Sequence, residues 1–307
     1  MTSDGGKPLV TAVIPTTLER DRLLRRAVDS VRAQNTGPIE IVVAADVGPA
    51  AELPDLGQDV RLLRTPNGPS GPGSARNAGV AAASSPWVAF LDDDDVWVEH
   101  KLRRQLAAVS LPHKENLIVS SAFRRLVDGD ATVLPRRGPD PGEDLSEWSL
   151  CQTFPPGRTG WIAPSTFLVS RGLLRRCPFH DRPNWEDLDW LLRATRRYGA
   201  HLVHVDEPLA EVYVDGDRTH RASGNNRWDE IVDWVTRCQD LLTPASAAGL
   251  LLRQGASRPH RWSRLPDTLR TVARAGRPRP MDLIALAVGL MVSPHSAARL
   301  AALANRW

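Results

Sequence analysis

Short apolar strands alternate with helical patterns over the first hundred residues, and this alternation restricts the fold more than any other feature. The runs VTAVI (Val10–Ile14) and IEIVV (Ile39–Val43) enclose a helical pattern from Glu19 to Gln34. Both runs are nearly continuously apolar rather than alternately apolar and polar, which is typical of a sheet covered on both faces. The sequence therefore predicts an α/β fold with a mostly parallel central sheet and helices on both faces.

Acidic residues follow two of the predicted strands. Asp46 comes after the second strand, and Asp92–Asp95 come directly after WVAFL (Trp87–Leu91), the fourth strand. Ligands of open α/β sheets bind at the carboxyl ends of the strands. We therefore expect the functional site at this edge of the sheet.

The second half of the chain changes from strands to helices near residue 225. Strands are predicted at 117–127, 132–135, 165–170 and within 201–214, and an amphipathic helix at 185–198. Further helices are predicted at 227–242, 265–275 and 296–305. We therefore expect a catalytic domain over residues 1–224 and a helical, arginine-rich extension over residues 225–307.

The charge of the chain is divided unevenly. The net charge is +3, but residues 251–307 carry +8, so the first 250 residues carry −5. A basic tail favours an anionic partner, such as a membrane surface or a phosphorylated ligand. No nucleic-acid-binding module is recognised and the body is acidic, so nucleic acid is not expected.

The most apolar stretch, MDLIALAVGLMV at 281–292, is too short to span a bilayer, which needs about 20 such residues. Two interpretations remain open: a buried core helix, or an interfacial helix that docks peripherally on anionic lipid. The three cysteines form no CxxC pair, and the N-terminus lacks the apolar stretch of a signal peptide. Both features predict a cytoplasmic protein with reduced thiols.

Four consecutive carboxylates at Asp92–Asp95 repel one another unless a cation shares them. Hard oxygen ligands suit Mg²⁺ or Mn²⁺, which complete their coordination shell with substrate phosphates. Such an ion would hold a diphosphate and stabilise it as a leaving group. The alternative is an acidic turn or a helix N-cap before Val96 and Trp97.

Four segments resemble family 2 glycosyltransferases in order and character. They are VTAVIPTTLERDRLLRRAVDSVRAQ, IEIVVAADVG, GPGSARNAGVAAASSPWVAFLDDDDVW and NWEDLDWLLRA, and the similarity covers about residues 8–220. The resemblance implies the GT-A fold and an inverting enzyme that uses a nucleotide-diphosphate sugar. The chain departs from the family at Ala45, where the family commonly has a second aspartate before Asp46.

The resemblance also implies roles for individual residues. The residues expected to bind the nucleotide sugar are Pro15, Thr16, Thr17, Glu19, Asp46, Arg76, Asp92 and Asp93. Asp94 would be the direct metal ligand, and His220 would reach the diphosphate or the metal. Asp187 resembles the catalytic base; Glu186 and Asp189 are weaker candidates, and helix capping is the alternative for the Glu186–Asp187 pair.

The sequence thus predicts a metal-assisted, inverting, non-processive glycosyltransferase. The donor expected from family frequency is a uridine or deoxythymidine diphosphate sugar, and the acceptor is a glycan, a lipid-linked saccharide or a small molecule. Two alternatives remain: a non-catalytic nucleotide-sugar-binding scaffold of the same fold, and a nucleotidyltransferase, which would release pyrophosphate.

Overall fold

The structure is a computed structural model that describes residues 6–109, 114–151, 160–180, 185–214, 228–256 and 261–291. The chain divides into two compact units. The first contains Met1–Leu134 and Ile162–Ser223, and the second contains Pro135–Trp161 and Gly224–Trp307.

The first unit is built on one mixed sheet. Its strands are β1 (Val10–Thr16), β2 (Ile39–Ala45), β3 (Val60–Arg64), β4 (Trp87–Phe90), β5 (Val96–Trp97), β6 (Leu117–Val127), β7 (Asp130–Leu134), β8 (Leu168–Ser170) and β9 (His201–Tyr213). Their order is β3-β2-β1-β4-β8-β6-β9-β5, and β7 pairs with β6. The first four strands are parallel, as the sequence predicted. The pair β6–β9 is also parallel, whereas β8 runs antiparallel to both of its neighbours.

Helices cover both faces of the parallel strands. The helices of this unit are α1 (Asp21–Arg32), α2 (Pro72–Ala82), α3 (Lys101–Ala108), α5 (Arg171–Arg176) and α6 (Glu186–Tyr198). Val10, Ala12 and Ile14 of β1 lie in one apolar cluster with the buried face of α1. Val13 points to the other face of the sheet, where α2 packs closely at Gly79. A Cβ added to Gly79 would lie 2.3 Å from Cγ1 of Val13. Alternate residues of β1 thus pack against two different helices, α1 and α2, which explains why β1 is apolar along most of its length.

The second unit consists of helices. They are α4 (Leu145–Leu150), α7 (Trp228–Arg237), α8 (Pro244–Ala256), α9 (Arg261–Ala275) and α10 (Pro280–Met291). The segment 135–161 belongs here and not to the sheet domain that the sequence suggested. Two hydrogen bonds join α4 to the residues at the start of α8. The Ser146 hydroxyl donates to Ser246 at 2.9 Å, and Glu147 accepts a bond of 2.7 Å from Thr243.

Two details of this unit correct the sequence analysis. The helix α8 was not predicted, since its glycine- and alanine-rich sequence obscures the helical pattern. The helix α10 is not a fully buried core helix, because Leu286 is buried while Leu283 and Ile284 are 47% and 53% exposed. The predicted helix 296–305 lies outside the described residues. In the part of the chain that the structure describes, no helix is long and apolar enough to cross a membrane.

Candidate active site

The site lies where the carboxyl ends of β1, β2 and β4 meet. The loop after each strand carries polar side chains that contact those of the next loop. Thr16, the last residue of β1, donates a hydrogen bond of 2.6 Å to Asp93. The same hydroxyl oxygen accepts a bond of 3.0 Å from the backbone N–H of Leu18, a residue in the left-handed region at φ 62°. Thr16 thereby joins the loop after β1 to the aspartates after β4.

Asp46, after β2, holds the loop before α2. Its buried carboxylate accepts bonds from the Thr65 hydroxyl at 2.8 Å and from the backbone N–H groups of Ser70 and Gly71, the latter at 2.7 Å. Gly68 is needed in this loop because an added Cβ would lie 2.3 Å from the Thr65 hydroxyl oxygen. Asp46 thus fixes the loop that leads to Arg76, and its predicted contact with base or ribose stays a prediction.

The residues Asp92–Asp95, called here the acidic turn, are balanced by guanidinium groups. Arg20, just before α1, donates to Asp93 at 2.8 Å and to Asp94 at 2.5 Å. Arg26 of α1 donates to the backbone carbonyl of Asp94 at 2.7 Å. Protein cations therefore provide part of the compensation that the acidic turn needs, and the predicted metal ion stays a prediction.

Asp95 has a purely internal environment. Its buried carboxylate accepts a bond of 2.5 Å from Ser165 and one of 3.2 Å from the backbone N–H of Tyr213. The Ser165 hydroxyl oxygen also accepts a bond of 3.1 Å from the backbone N–H of Asp92. A helix cap is excluded for this turn, because β5 follows it and α3 begins only at Lys101.

Burial and nearby negative charge raise the pKa values of Asp93, Asp94 and Asp95. Burial raises the pKa of Asp93 to about 6, although Thr16 and Arg20 oppose the shift. Burial and the charge of Asp92 raise the pKa of Asp94. Burial, Asp92 and Asp94 raise the pKa of Asp95 well above its usual range. Shifts of this kind cluster at functional sites, because those sites concentrate like charges away from water.

Arg76 of α2 connects the acidic turn to the start of α6. Its side chain is only 3% exposed, and it donates to Asp92 at 2.7 Å and to Glu186 at 3.1 Å. Its guanidinium also lies 5.5 Å from the ring centroid of Phe179. The guanidinium thus holds together two acidic motifs that are far apart in the chain, and its predicted contact with the nucleotide sugar stays a prediction.

Asp187 lies in the first turn of α6, next to Glu186. Burial, followed by the charge of Glu186, raises the pKa of Asp187 to about 7. Its Oδ1 accepts a bond of 2.7 Å from the backbone N–H of Leu188. The N-cap position itself is Trp185, whose side chain makes no capping bond. A carboxylate with this pKa suits general base chemistry near neutral pH.

Asp189, the weaker candidate, is buried against protein partners. Its carboxylate is 1% exposed and accepts a bond of 2.7 Å from Arg193 on the same helix. His180 lies 3.0 Å from the same oxygen. These contacts occupy the buried carboxylate with protein partners, and a role of Asp189 as the base stays a prediction.

The other predicted residues contribute less to the geometry. Pro15 is buried within β1, whereas Thr17 and Glu19 are exposed on the loop that follows. His220 lies outside the described residues. Arg20 and Ser165 were not predicted from the sequence. The position of Arg20 one residue after Glu19 was a signal for the first, but nothing in the local sequence indicated the second.

The acidic turn offers a divalent cation a partial site of two accessible carboxylates, and substrate phosphates and water would complete its coordination shell. Within the described residues, no group of three or more His, Cys, Asp or Glu side chains is arranged to hold a metal ion. Mg²⁺, however, commonly binds through one or two carboxylates together with substrate phosphates and water. Asp92 and Asp94 are 30% and 24% exposed, so their oxygens are accessible for that kind of coordination.

Comparisons with known proteins identify the family and support the fold. A family model described as "Glycosyl transferase family 2" matches residues 11–175. The succinoglycan biosynthesis protein ExoW of Rhizobium meliloti (strain 1021) is 43% identical over 102 residues, which are 30% of this chain and 31% of that protein. The amylovoran biosynthesis glycosyltransferase AmsB of Erwinia amylovora is 28% identical over 145 residues, 46% of either chain. The chain thus spans less than half the length of these two relatives.

A solved structure has the same fold. The crystal structure of S. aureus TarS 1–349 in complex with UDP-GlcNAc matches with a TM-score of 0.59 at 14% sequence identity. The match covers 87% of this chain and 80% of that chain. The likeness confirms the GT-A type of fold that the sequence predicted.

Proposed function

This chain belongs to glycosyl transferase family 2, and we propose that it transfers one sugar, with inversion, from a nucleotide-diphosphate sugar to an acceptor hydroxyl. One observation carries the proposal: buried Arg76 contacts both Asp92 of the acidic turn and Glu186 beside Asp187. That bridge supports a single pocket in which a donor diphosphate and an acceptor base act on the same anomeric carbon.

Asp187 is the proposed base. The acceptor oxygen attacks the anomeric carbon, the bond from that carbon to the diphosphate oxygen breaks, and the hydroxyl proton passes to Asp187. Since Oδ1 is held by the N–H of Leu188, Oδ2 is the oxygen that receives the proton. A raised pKa near 7 supports the role, because the carboxylate is then both ionised and basic enough at neutral pH.

Asp94 is the proposed metal ligand, with Asp92 toward the ribose. A bound Mg²⁺ or Mn²⁺ would neutralise charge on the departing nucleoside diphosphate. His220 remains part of the proposal as a group that reaches the diphosphate or the metal. In this assignment the protein holds Asp94 in place through Arg26, which donates to its backbone carbonyl, and through Thr16, which donates to the adjacent Asp93.

The donor and acceptor are proposed as classes. The TarS structure holds UDP-GlcNAc, which supports a uridine diphosphate sugar, and deoxythymidine diphosphate sugars remain included. ExoW and AmsB are named for succinoglycan and amylovoran biosynthesis, which supports a role in making a polysaccharide or glycoconjugate. The acceptor would accordingly be a glycan or a lipid-linked saccharide, with a small molecule as the alternative.

The location of activity in the chain is also a proposal. We place catalysis in residues 1–224 and assign the extension of residues 225–307 to peripheral membrane contact, on the cytoplasmic side. The exposed Leu283 and Ile284 of α10 support such contact, because apolar side chains beside arginines suit an anionic interface.

Replacing Asp187 with asparagine tests the reaction. We expect transfer to fall about 10²–10⁴-fold while donor binding, followed by calorimetry, is retained. Asp29→Asn is the matched control, because Asp29 is 68% exposed and pairs with the exposed Arg32 of its own helix, at 3.0 Å.

The products separate the alternatives. Released nucleoside diphosphate and an inverted anomeric centre, observed by NMR, support the proposal. Transfer that survives Asp187→Asn rules out this base. Donor binding without any turnover of the wild type indicates a scaffold, and release of pyrophosphate indicates a nucleotidyltransferase.

A further inference from the structure

Arg20 occupies the solvent side of the acidic turn. It precedes the first residue of α1 and follows the tight turn at Leu18. Its two terminal nitrogens contact different carboxylates, Asp93 at 2.8 Å and Asp94 at 2.5 Å. The guanidinium therefore lies directly against Asp94, the carboxylate assigned to the metal.

Arg20 and Arg76 differ in how easily they can leave the aspartates. The Arg20 side chain is 44% exposed, whereas the Arg76 side chain is 3% exposed. Arg76 is buried against Asp92, Glu186 and the Phe179 ring, so rotation of its side chain alone does not bring it into solvent. Arg20 can turn into solvent by rotating its own side chain, and this leaves Asp94 open.

Arg20 and a divalent cation would bind the same carboxylate, that of Asp94, so they are alternatives. Asp93 is 4% exposed and has a second partner besides Arg20, the Thr16 hydroxyl at 2.6 Å. Asp94 is the more exposed partner, at 24%, and a second cation at its carboxylate would repel the guanidinium at short range.

We infer that Arg20 is a resident counter-ion that competes with the divalent cation for Asp94. This inference rests on the proposed function, since it takes Asp94 to be the metal ligand. In the unliganded protein, Arg20 neutralises the acidic turn; cation binding displaces its contact with Asp94. Arg20 thus lowers the affinity for the free ion and reserves the site for a cation that arrives with a diphosphate.

Binding of Mn²⁺ alone, measured by the electron paramagnetic resonance of the free ion, tests this inference on the full chain. We expect Arg20→Ala to bind Mn²⁺ about threefold to thirtyfold more tightly than the wild type, which is the range that two partly exposed ion pairs span. Arg20→Gln, which keeps a polar side chain in the turn, should also bind more tightly. Asp94→Asn should abolish binding in each background.

Arg25→Ala is the matched control. It removes the same charge five residues further along the chain, in α1, where Arg25 pairs with Asp21 at 2.9 Å and with the backbone carbonyl of Asp55 instead of the acidic turn. Its affinity for Mn²⁺ should stay within about twofold of the wild type, since long-range exposed charges are screened.

The possible results separate the competition by Arg20 from the proposed role of Asp94 as metal ligand, on which it rests. Equal or weaker Mn²⁺ binding by both Arg20 variants, with wild-type binding that depends on Asp94, overturns the competition and leaves the metal ligand standing. Absence of Mn²⁺ binding in every variant overturns both. Melting temperatures within a few degrees of the wild type confirm that each variant is folded.

Discussion

Replacing Arg76 with methionine should destabilise the first unit by about 3 kcal/mol, because it leaves two carboxylates without their buried partner. The guanidinium makes charge-assisted bonds of 2.7 Å to Asp92 and 3.1 Å to Glu186. Bonds of this kind contribute about 1.5–3 kcal/mol each. The carboxylates are 30% and 14% exposed and regain part of their hydration, so the lower end of the expected range for a broken buried pair applies.

Urea unfolding of the wild type and Arg76→Met measures this loss. Arg61→Met is the control, since the exposed Arg61 donates only to the backbone carbonyl of Ala82, at 3.0 Å. It should change the free energy of unfolding by no more than about 0.5 kcal/mol. In the double variant Arg76→Met/Glu186→Gln, part of the loss should return, because the unpaired charge on Glu186 is removed.

The same substitution should affect Asp187. The positive charge of Arg76 opposes the effects of burial and Glu186 on the pKa of Asp187. Without it, the pH at which transfer is half-maximal should move above the wild-type value. A loss of stability below about 1 kcal/mol, together with an unchanged pH profile, would refute the bridging role.

Two further predictions concern stability against pH. The pKa of Asp187 is about 7 in the folded protein against 3.8 ordinarily, so between these values the folded state keeps a proton that the unfolded chain has lost. Wild type should therefore lose stability relative to Asp187→Asn as pH rises through this window and show a constant difference above it; parallel urea curves at all pH values would contradict this. Lys101 is fully buried, with Gln105 at 2.7 Å as its hydrogen-bond partner and the Trp97 ring 4.2 Å away, and burial lowers its pKa well below 10.5. Near neutral pH the unfolded chain therefore binds a proton that the folded state binds less tightly. Lys101→Met should be more stable than wild type by about 1 kcal/mol at neutral pH, with a smaller gain at higher pH. A less stable variant at both pH values would mean that contacts of the amine outweigh its desolvation.

The sequence by itself determined the parallel half of the sheet and the edge that carries the site. Hydrophobic periodicity is local information, so β1, β2 and β4 could be identified from runs such as VTAVI and WVAFL. The position of Asp46 and the acidic turn at strand ends then followed from the general geometry of parallel sheets. The antiparallel insertion of β8 between β4 and β6 could not follow in this way, because it depends on strand order.

Only the tertiary structure decided which charges meet. Arg76 and Glu186 are 110 residues apart, and Ser165 and Asp95 are 70 apart, so no spacing pattern connects them. The four aspartates suggested a metal ion because their repulsion was visible in the sequence, whereas the arginines that relieve it were not. The packing of β4, β8, α2 and α6 fixes which distant loops meet. It brings arginines against the acidic turn, and we infer that a divalent cation can displace one of them, Arg20, from Asp94.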